Sequence, residues 1–346
     1  VSSALPSDFF KKIPKVELHV HLEGSVRPET VLKLSRRHGI TLPADSVEGL
    51  QEWYRFKDFR HFVEIYLAIT KCIRTPEDLE LVAREFLEGQ AAQNIKHSEV
   101  TYTASTVASY LNISWPDQHK ALLSAMKYGE KELGVTAGII LDIVRGCSVE
   151  KAIEVAEWAT TSEGVTALGL AGEEWRGTAQ YEPAFQLAKS RGLPIIPHAG
   201  ETVGPESVWE TLKYTDPLRI GHGVRSIEDP RLVRELAARQ IPLEVCPTSN
   251  VALGVYPSLA EHPLPKLLDE GVYVTLNSDD PPMFNTTLTD EFERCATTFD
   301  FNEDIVWTLC LNAARAAVLP DDRKNELIAQ MRTEFSEAVG QLSVGA

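Results

Sequence analysis

The chain has 346 residues, 43% hydrophobic and 24% charged, an ordinary globular composition that suits one large domain or two small ones. Its net charge of −16 argues against a nucleic-acid backbone or an anionic membrane as the main partner, because binding arrays of phosphate takes clustered Lys and Arg. No apolar run approaches the roughly 18 residues of a membrane span; the start, VSSALPSDFFKKIPK, shows no secretory-type apolar core, and five scattered cysteines without a C-x-x-C pair suit reduced thiols in a cytoplasmic protein.

The first strong strand is Lys15 to His21, KVELHVH, where Val16, Leu18 and Val20 alternate with Glu17, His19 and His21. A period of two puts His19 and His21 on one side. Two histidines on one face, followed by Leu-Glu-Gly, suggest a metal site at the end of a strand. A long helical region follows from about Pro28 to Asn94, with Pro28 and Pro76 at first-turn positions. Within it, FKDFRHFVEIY spaces Phe56, Phe59, Phe62 and Tyr66 as a helix would. Those aromatics read either as core packing or as an apolar lid, since long insertions after a strand are often lids.

The pattern then becomes regular. Strands are expected at His97 to Thr103, Thr136 to Val144, Thr166 to Gly172, Leu193 to His198, Leu218 to His222, Ile241 to Cys246 and Val272 to Asn277. Helices are expected between them, at Trp115 to Leu133, Val149 to Thr160, Tyr181 to Ser190, Glu206 to Leu212, Pro230 to Arg239 and Leu264 to Glu270. With KVELHVH this makes eight strands, each followed by helix, the signature of an α/β (β/α)8 TIM barrel. The tail from about Asn302 to Val339 reads as helices closing it, and no linker divides the chain. One domain over 1–346 is expected, with a helical insertion at about 28–94.

A barrel of this kind concentrates function at the C-terminal ends of its strands. Strand one ends in His19 and His21, and strand four in Gly172, Glu173 and Glu174. Strand five, IIPHAGE, runs apolar and then stops at His198 and Glu201; strand six ends in His222 and strand eight in Asp279 and Asp280. His19, His21, His198 and Asp279 form a nitrogen and oxygen set that suits Zn²⁺, and iron or manganese also fit. Without a thiolate ligand such a site leaves room for water, whose pKa a bound zinc lowers toward about 7. His222 would then hold or deprotonate the water, or else be a core histidine. Glu201 would deliver a proton if burial raises its pKa. Asp280, next to Asp279 on an alternating strand, would turn toward a substrate. The strand-four end, LGLAGEEW, has no lysine to become a bridging carbamate, which favours one metal.

HVHLEG at 19–24, LAGEE at 170–174, HAGE at 198–201, GHG at 221–223, PTSN at 247–250 and NSDDPP at 277–282 together resemble the adenosine deaminase family, in order and over nearly the whole chain. The resemblance implies a (β/α)8 barrel, one zinc per chain, and hydrolytic removal of the 6-amino group from an adenine ring. It implies that His19, His21, His198 and Asp279 are the zinc ligands. Glu201 would protonate the purine ring, and His222 would orient and stabilise the attacking hydroxide. Asp280 would meet the five-membered ring and the Gly172 backbone the six-membered ring. The family commonly has Asp where this chain has Glu23, a position that meets the sugar, and Glu there resembles the adenine deaminase branch. FKDFRHFVEIY, HAGETVGPESVW, IPLEVCPTSNV and NSDDPPMFNTTLTDE look more like bacterial deaminases of 6-aminodeoxyfutalosine, an adenine nucleoside of an alternative menaquinone pathway. The expected partner is therefore a small-molecule purine nucleoside or base, in the order 6-aminodeoxyfutalosine, adenosine, adenine. Glu23, Phe56 and Phe59 are the further candidates for substrate contact. A deaminase of another ring amine, such as a pterin, shares the ligands and differs around them. A barrel that binds a nucleoside without turnover would have no need of Glu201.

Overall fold

The computed structural model describes residues 5–344; the outermost residues of the expected 1–346 domain, 1–4 and 345–346, lie outside it. Eight parallel strands form one sheet in the order of the chain: β1 (Lys15–His21), β2 (Ile95–Tyr102), β3 (Thr136–Val144), β4 (Val165–Ala171), β5 (Ile195–Ala199), β6 (Ile220–His222), β7 (Leu243–Val245) and β8 (Val274–Leu276). The sheet curls on itself to bring β8 back to β1. There Val20 bridges Asp279, His21 N–H donates to Asp279 O at 2.8 Å, and Asp279 N–H donates to His19 O at 3.1 Å. The Asn277 side chain completes the seam, its Oδ1 accepting from the N–H groups of Leu18 and His19 at 2.9 and 3.1 Å. The expected (β/α)8 TIM barrel is the observed fold.

Strands five to eight are shorter than the sequence suggests. Each begins two residues later than expected, at Ile195, Ile220, Leu243 and Val274, so most of the difference lies at the end of the barrel away from the site. β1 is buried along all seven residues. That is expected of a parallel strand covered on both sides, with one face turned to packed helices and the other to the barrel interior.

The helices, in chain order, are α1 (Ser7–Lys12), α2 (Pro28–His38), α3 (Val47–Trp53), α4 (Phe59–Thr70), α5 (Pro76–Ala92), α6 (Ala104–Leu111), α7 (Trp115–Tyr128), α8 (Val149–Thr161), α9 (Glu182–Ser190), α10 (Pro205–Thr215), α11 (Pro230–Arg239), α12 (Pro247–Ala252), α13 (Leu264–Asp269), α14 (Pro281–Phe284), α15 (Leu288–Phe299), α16 (Glu303–Ala316) and α17 (Asp321–Val344). The insertion after β1 is four helices, α2 to α5. Asp58 caps α4 through His61 N–H, and Thr75 with Asp78 forms a capping box on α5. The single helix expected at Trp115 to Leu133 stops at Tyr128. Gly129–Leu133 continues as a wider turn that ends at Gly134 in the left-handed conformation. Five helices lie outside the expected pattern, α1 before the barrel, α6 after β2, and α12, α14 and α15 around the ends of β7 and β8; α6 lacks a side-chain cap.

Candidate active site

All but two of the strand-end residues singled out above, His19 and Glu173, line one cleft at the C-terminal mouth of the barrel, which encloses about 800 Å³ with its opening included. His21 Nε2 and His198 Nε2 are 3.1 Å apart. Asp279 Oδ1 lies 3.3 Å from His21 Nε2 and 3.5 Å from His19 Nε2. An ion with bonds of ~2.0–2.1 Å in tetrahedral array holds its ligand atoms ~3.3 Å apart, so this spacing fits one metal ion. A buried atom supports the same fit: His19 Nε2 makes no hydrogen bond. No lysine lines the cleft, as the strand-four sequence suggested.

The outer nitrogens of two of the clustered histidines are held. His19 Nδ1 lies 2.8 Å from Glu244 Oε2 on β7, and His198 Nδ1 lies 3.0 Å from Leu170 O on β4. Ser249 Oγ donates to Asp279 Oδ2 at 2.6 Å. Such partners fix the tautomer and ring plane so that the inner nitrogens face one point. Burial works to lower the pKa of His19, but the neighbouring carboxylates of Asp279 and Glu244 outweigh it and hold the ring at about 9. Burial opposes the charge of Asp279 too, and its contacts with His19 and His21 keep it well below the usual carboxylate range.

Behind Glu244 runs a buried chain of charge. Arg219 Nε donates to Glu244 Oε1 at 2.6 Å, its Nη2 to Glu99 Oε2 at 2.5 Å, and its Nη1 to Ala316 O at 2.8 Å. All three charged side chains are essentially without solvent contact. The metal-side histidine is thus anchored through β7 and β2 to the end of α16.

Glu201 and His222 face one another, His222 Nε2 being 3.6 Å from Glu201 Oε1. Burial, and then the neighbouring charges of Asp279 and Glu174, raise the Glu201 carboxyl to about 8, so it carries a proton at neutral pH. Burial and the nearby His19 push His222 down to about 3, leaving it neutral. Its tautomer follows from a relay. Leu264 N–H donates to His262 Nδ1 at 3.2 Å, and His262 Nε2 therefore donates to Asn250 Oδ1 at 3.1 Å. The Asn250 amide then donates to His222 Nδ1 at 3.3 Å, which leaves the His222 proton on Nε2, facing Glu201 and Asp279. His222 and Asp279 both adopt positive φ, 61° and 64°, a conformation sparsely populated by residues other than glycine.

The acids after β4 divide. Glu173 pairs with Arg176 near the surface at 2.5 Å. Glu174 is buried and clasps the loop that follows His198. Its carboxylate accepts the N–H groups of Gly200, Glu201, Thr202 and Val203, the last three at 3.2, 2.7 and 2.9 Å. The sequence marked Glu174 as suited to chemistry without showing that it positions Glu201. Arg145, after β3, fixes the other side of this loop by donating to His198 O at 2.6 Å.

The substrate candidates are placed as follows. Gly172 and Asp280 line the cleft. Asp280 Oδ1 is buried without a partner, and its carboxyl fills the space where any side chain at Gly24 would be, 1.6 Å from the position of a Cβ there. That close approach explains the glycine of HVHLEG. Phe59 lines the cleft with Phe62, Val63, Tyr66 and Leu67 of α4. Phe56 does not; it packs edge-on behind that wall, 5.3 Å from Phe62 and 5.6 Å from Phe284 between ring centres. Glu23 is not among the lining residues either. Its Oε1 accepts Thr103 N–H at 2.9 Å and its Oε2 has no partner.

Comparison with known proteins agrees with this geometry. The sequence matches the adenosine deaminase family over residues 14–334. It is 39% identical over 332 residues to an aminodeoxyfutalosine deaminase of Streptomyces avermitilis, covering 94% of this chain and 92% of that one. The fold superposes on the crystal structure of an adenine deaminase from Arthrobacter aurescens with a TM-score of 0.89, at 33% identity and covering 95% and 99% of the two chains. It also superposes on an amidohydrolase from Burkholderia ambifaria with bound Zn, with a TM-score of 0.91 at 25% identity over 99% and 97% of the chains. Among the described residues no helix is long and apolar enough to cross a membrane. The chain belongs to the adenosine deaminase family and is a hydrolytic deaminase of that family's (β/α)8 type.

Proposed function

We propose that this enzyme removes the 6-amino group of an adenine nucleoside by hydrolysis, releasing ammonia and leaving the 6-oxo ring. The preferred substrate is 6-aminodeoxyfutalosine, which places the enzyme in menaquinone synthesis; adenosine ranks next. The observation that carries the reading is the buried pair of Glu201 and His222, 3.6 Å apart beside the His/Asp cluster, where burial raises the carboxyl and lowers the imidazole. His19, His21, His198 and Asp279 would hold one Zn²⁺. Bound there, the ion supplies an acidified water and polarises the reacting centre.

The protein's own groups do the rest. Glu201 donates its proton to a ring nitrogen, which makes the adjacent C6 more electrophilic and lets the ring accept the attacking oxygen. His222, with its proton held on Nε2 by Asn250, orients that oxygen by donating to it. Asp280 and the Gly172 backbone hold the ring in plane with the two groups. The aromatic wall of α4 covers the ring and excludes bulk water, the role of an insertion serving as a lid. Support for the substrate ranking comes from the 39% identity to the Streptomyces avermitilis enzyme and from the stretches that resemble its class.

Free adenine is the second reading, favoured by Glu23 and by the likeness to the Arthrobacter aurescens adenine deaminase. A panel of 6-aminodeoxyfutalosine, adenosine, 2′-deoxyadenosine and adenine separates them. Loss of the adenine absorbance and release of ammonia are followed on protein of known zinc content. We expect the largest kcat/KM with 6-aminodeoxyfutalosine. A preference for adenine would reverse the order, and turnover only of an unrelated ring amine would overturn the reading.

A further inference from the structure

We propose that Asp142 of β3 is a specificity-determining residue of this site, its carboxylate accepting a hydrogen bond from the 2′- or 3′-hydroxyl of an adenine nucleoside's ribose. The inference rests on the adenine reading above and deepens it.

Asp142 was not among the residues the sequence singled out, and its surroundings are what mark it. It is 1% exposed, lines the cleft, and its Oδ1 is buried without any hydrogen-bond partner. An unsatisfied buried carboxylate oxygen is costly, and in a binding cleft the natural remedy is a donor on the ligand. Asp142 is opposed in register by Gly169 of β4, where a Cβ would come within 3.2 Å of the Asp142 Cβ. The small neighbour leaves the aspartate room on the cleft wall.

Its position round the barrel gives the donor's identity. The metal-type ligands and the acid–base pair lie on β1, β5, β6 and β8, and the ring contacts on β4 and β8. The arc formed by β2 and β3 holds none of these. There the wall is Asp142 with Val144, Arg145, Thr103 and Thr106, joined by Tyr66 of α4, and Arg145 Nη1 and the Tyr66 hydroxyl are likewise buried without a partner. A ligand with its ring over the acid–base pair directs its remaining part across this arc. The arc offers a carboxylate, hydroxyls and one guanidinium N–H, a mixed set that suits neighbouring O–H groups able both to donate and to accept. A free base gives its edge to Asp280, Gly172 and Glu201 and has at most one N–H left for an arc with several polar groups. A ribose brings vicinal hydroxyls. Glu23, the residue matching the family's sugar contact, has one oxygen committed to Thr103 N–H and, unlike Asp142, is not among the residues lining the cleft.

The test compares the unaltered enzyme with Asp142→Asn and Asp142→Ala, each at measured zinc content and thermal midpoint. Substrates are adenosine and its 2′-deoxy and 3′-deoxy forms, used as competitors where turnover is slow. Removing the carboxylate lowers kcat/KM, or affinity, for adenosine by about tenfold or more, chiefly through KM. For the deoxynucleoside that lacks the bonded hydroxyl the same substitution costs much less, because carboxylate and hydroxyl act as one pair. Equal losses with all three nucleosides would mean a structural role and overturn the proposal while the adenine reading stands. So would an unaltered enzyme that prefers free adenine to every nucleoside. An unaltered enzyme that neither binds nor turns over any adenine compound would overturn the reading, and this inference with it.

Discussion

The Asn250 amide donates to His222 Nδ1 at 3.3 Å, and this one contact decides which nitrogen of the imidazole carries its proton. Asn250 can act as donor there because its own oxygen is taken by His262 Nε2 at 3.1 Å. Replacing it by Asp keeps the shape and reverses the polarity. A carboxylate would draw the proton to Nδ1 and leave Nε2 bare toward the reacting oxygen. We expect Asn250→Asp to lower kcat by a factor on the order of 10² or more with a small change in KM, in the manner of other catalytic histidines held in the wrong tautomer. Steady-state kinetics, together with the ¹⁵N shifts of His222, check it. Near-normal kcat in a protein whose His222 has changed tautomer would remove His222 from the chemistry.

Glu201→Gln removes the proton donor and leaves the four metal-type side chains in place. Glutamine also preserves the backbone contacts to Glu174, which come from main-chain N–H groups. Turnover should fall by roughly 10²–10⁴, the usual worth of a positioned general acid, while zinc content stays near one per chain. Zinc lost along with the activity would mean that Glu201 serves the metal rather than the ring.

The fold and the inner residues of the site were readable because each is announced locally. An eight-fold alternation of apolar runs and amphipathic stretches says barrel. Chemistry-bearing residues placed where those runs stop, such as His198 after IIP, say which end is used. The supports were not readable. Glu174 and Val203 are 29 residues apart, and Arg219 and Glu99 are 120 apart. Nothing local distinguishes a carboxylate that clasps a loop from one on a surface until the barrel brings the two together. Glu23 and Asp142 show the same limit from the other side. The motif pointed to Glu23, but it is Asp142, on a strand with no motif, that lines the cleft. Phe56 shares its spacing with Phe59 and Phe62, yet it precedes the Asp58 cap of α4 and so leaves the helical face they line.

Glu244 shows what such a support is worth. It takes the outer nitrogen of His19 on one side and the Arg219 guanidinium on the other. Glu244→Gln keeps a polar group of the same size but loses the charge that makes His19 a stronger ligand. Metal affinity should weaken by about 10–100-fold. Competition with a chelator of known affinity measures this directly, without reference to activity. Unchanged affinity would mean that Asp279 and the two other histidines fix His19 unaided.

Glu291, on α15, gives a pH dependence away from the metal-type cluster. Its carboxyl accepts Thr248 N–H at 3.1 Å and the Thr286 hydroxyl at 2.6 Å, and so pins the segment that carries Ser249 and Asn250. Burial raises its pKa from 4.5 to about 7, and the hydrogen bonds from Thr248 and Thr286 only partly counter that. The folded protein therefore holds this proton more tightly than the unfolded chain does. Stability from Glu291 is complete below about pH 4.5 and is lost as pH rises through about 7. The loss is on the order of 3 kcal/mol at most, from ~1.4 kcal/mol per pKa unit. Glu291→Gln cannot lose a proton, so its denaturation midpoint in urea should fall less than that of the unaltered protein between pH 5 and pH 8. Both series are run with zinc in constant excess, so that metal release does not contribute. Parallel pH profiles for the two proteins would show that Glu291 titrates normally and that its burial is relieved by solvent.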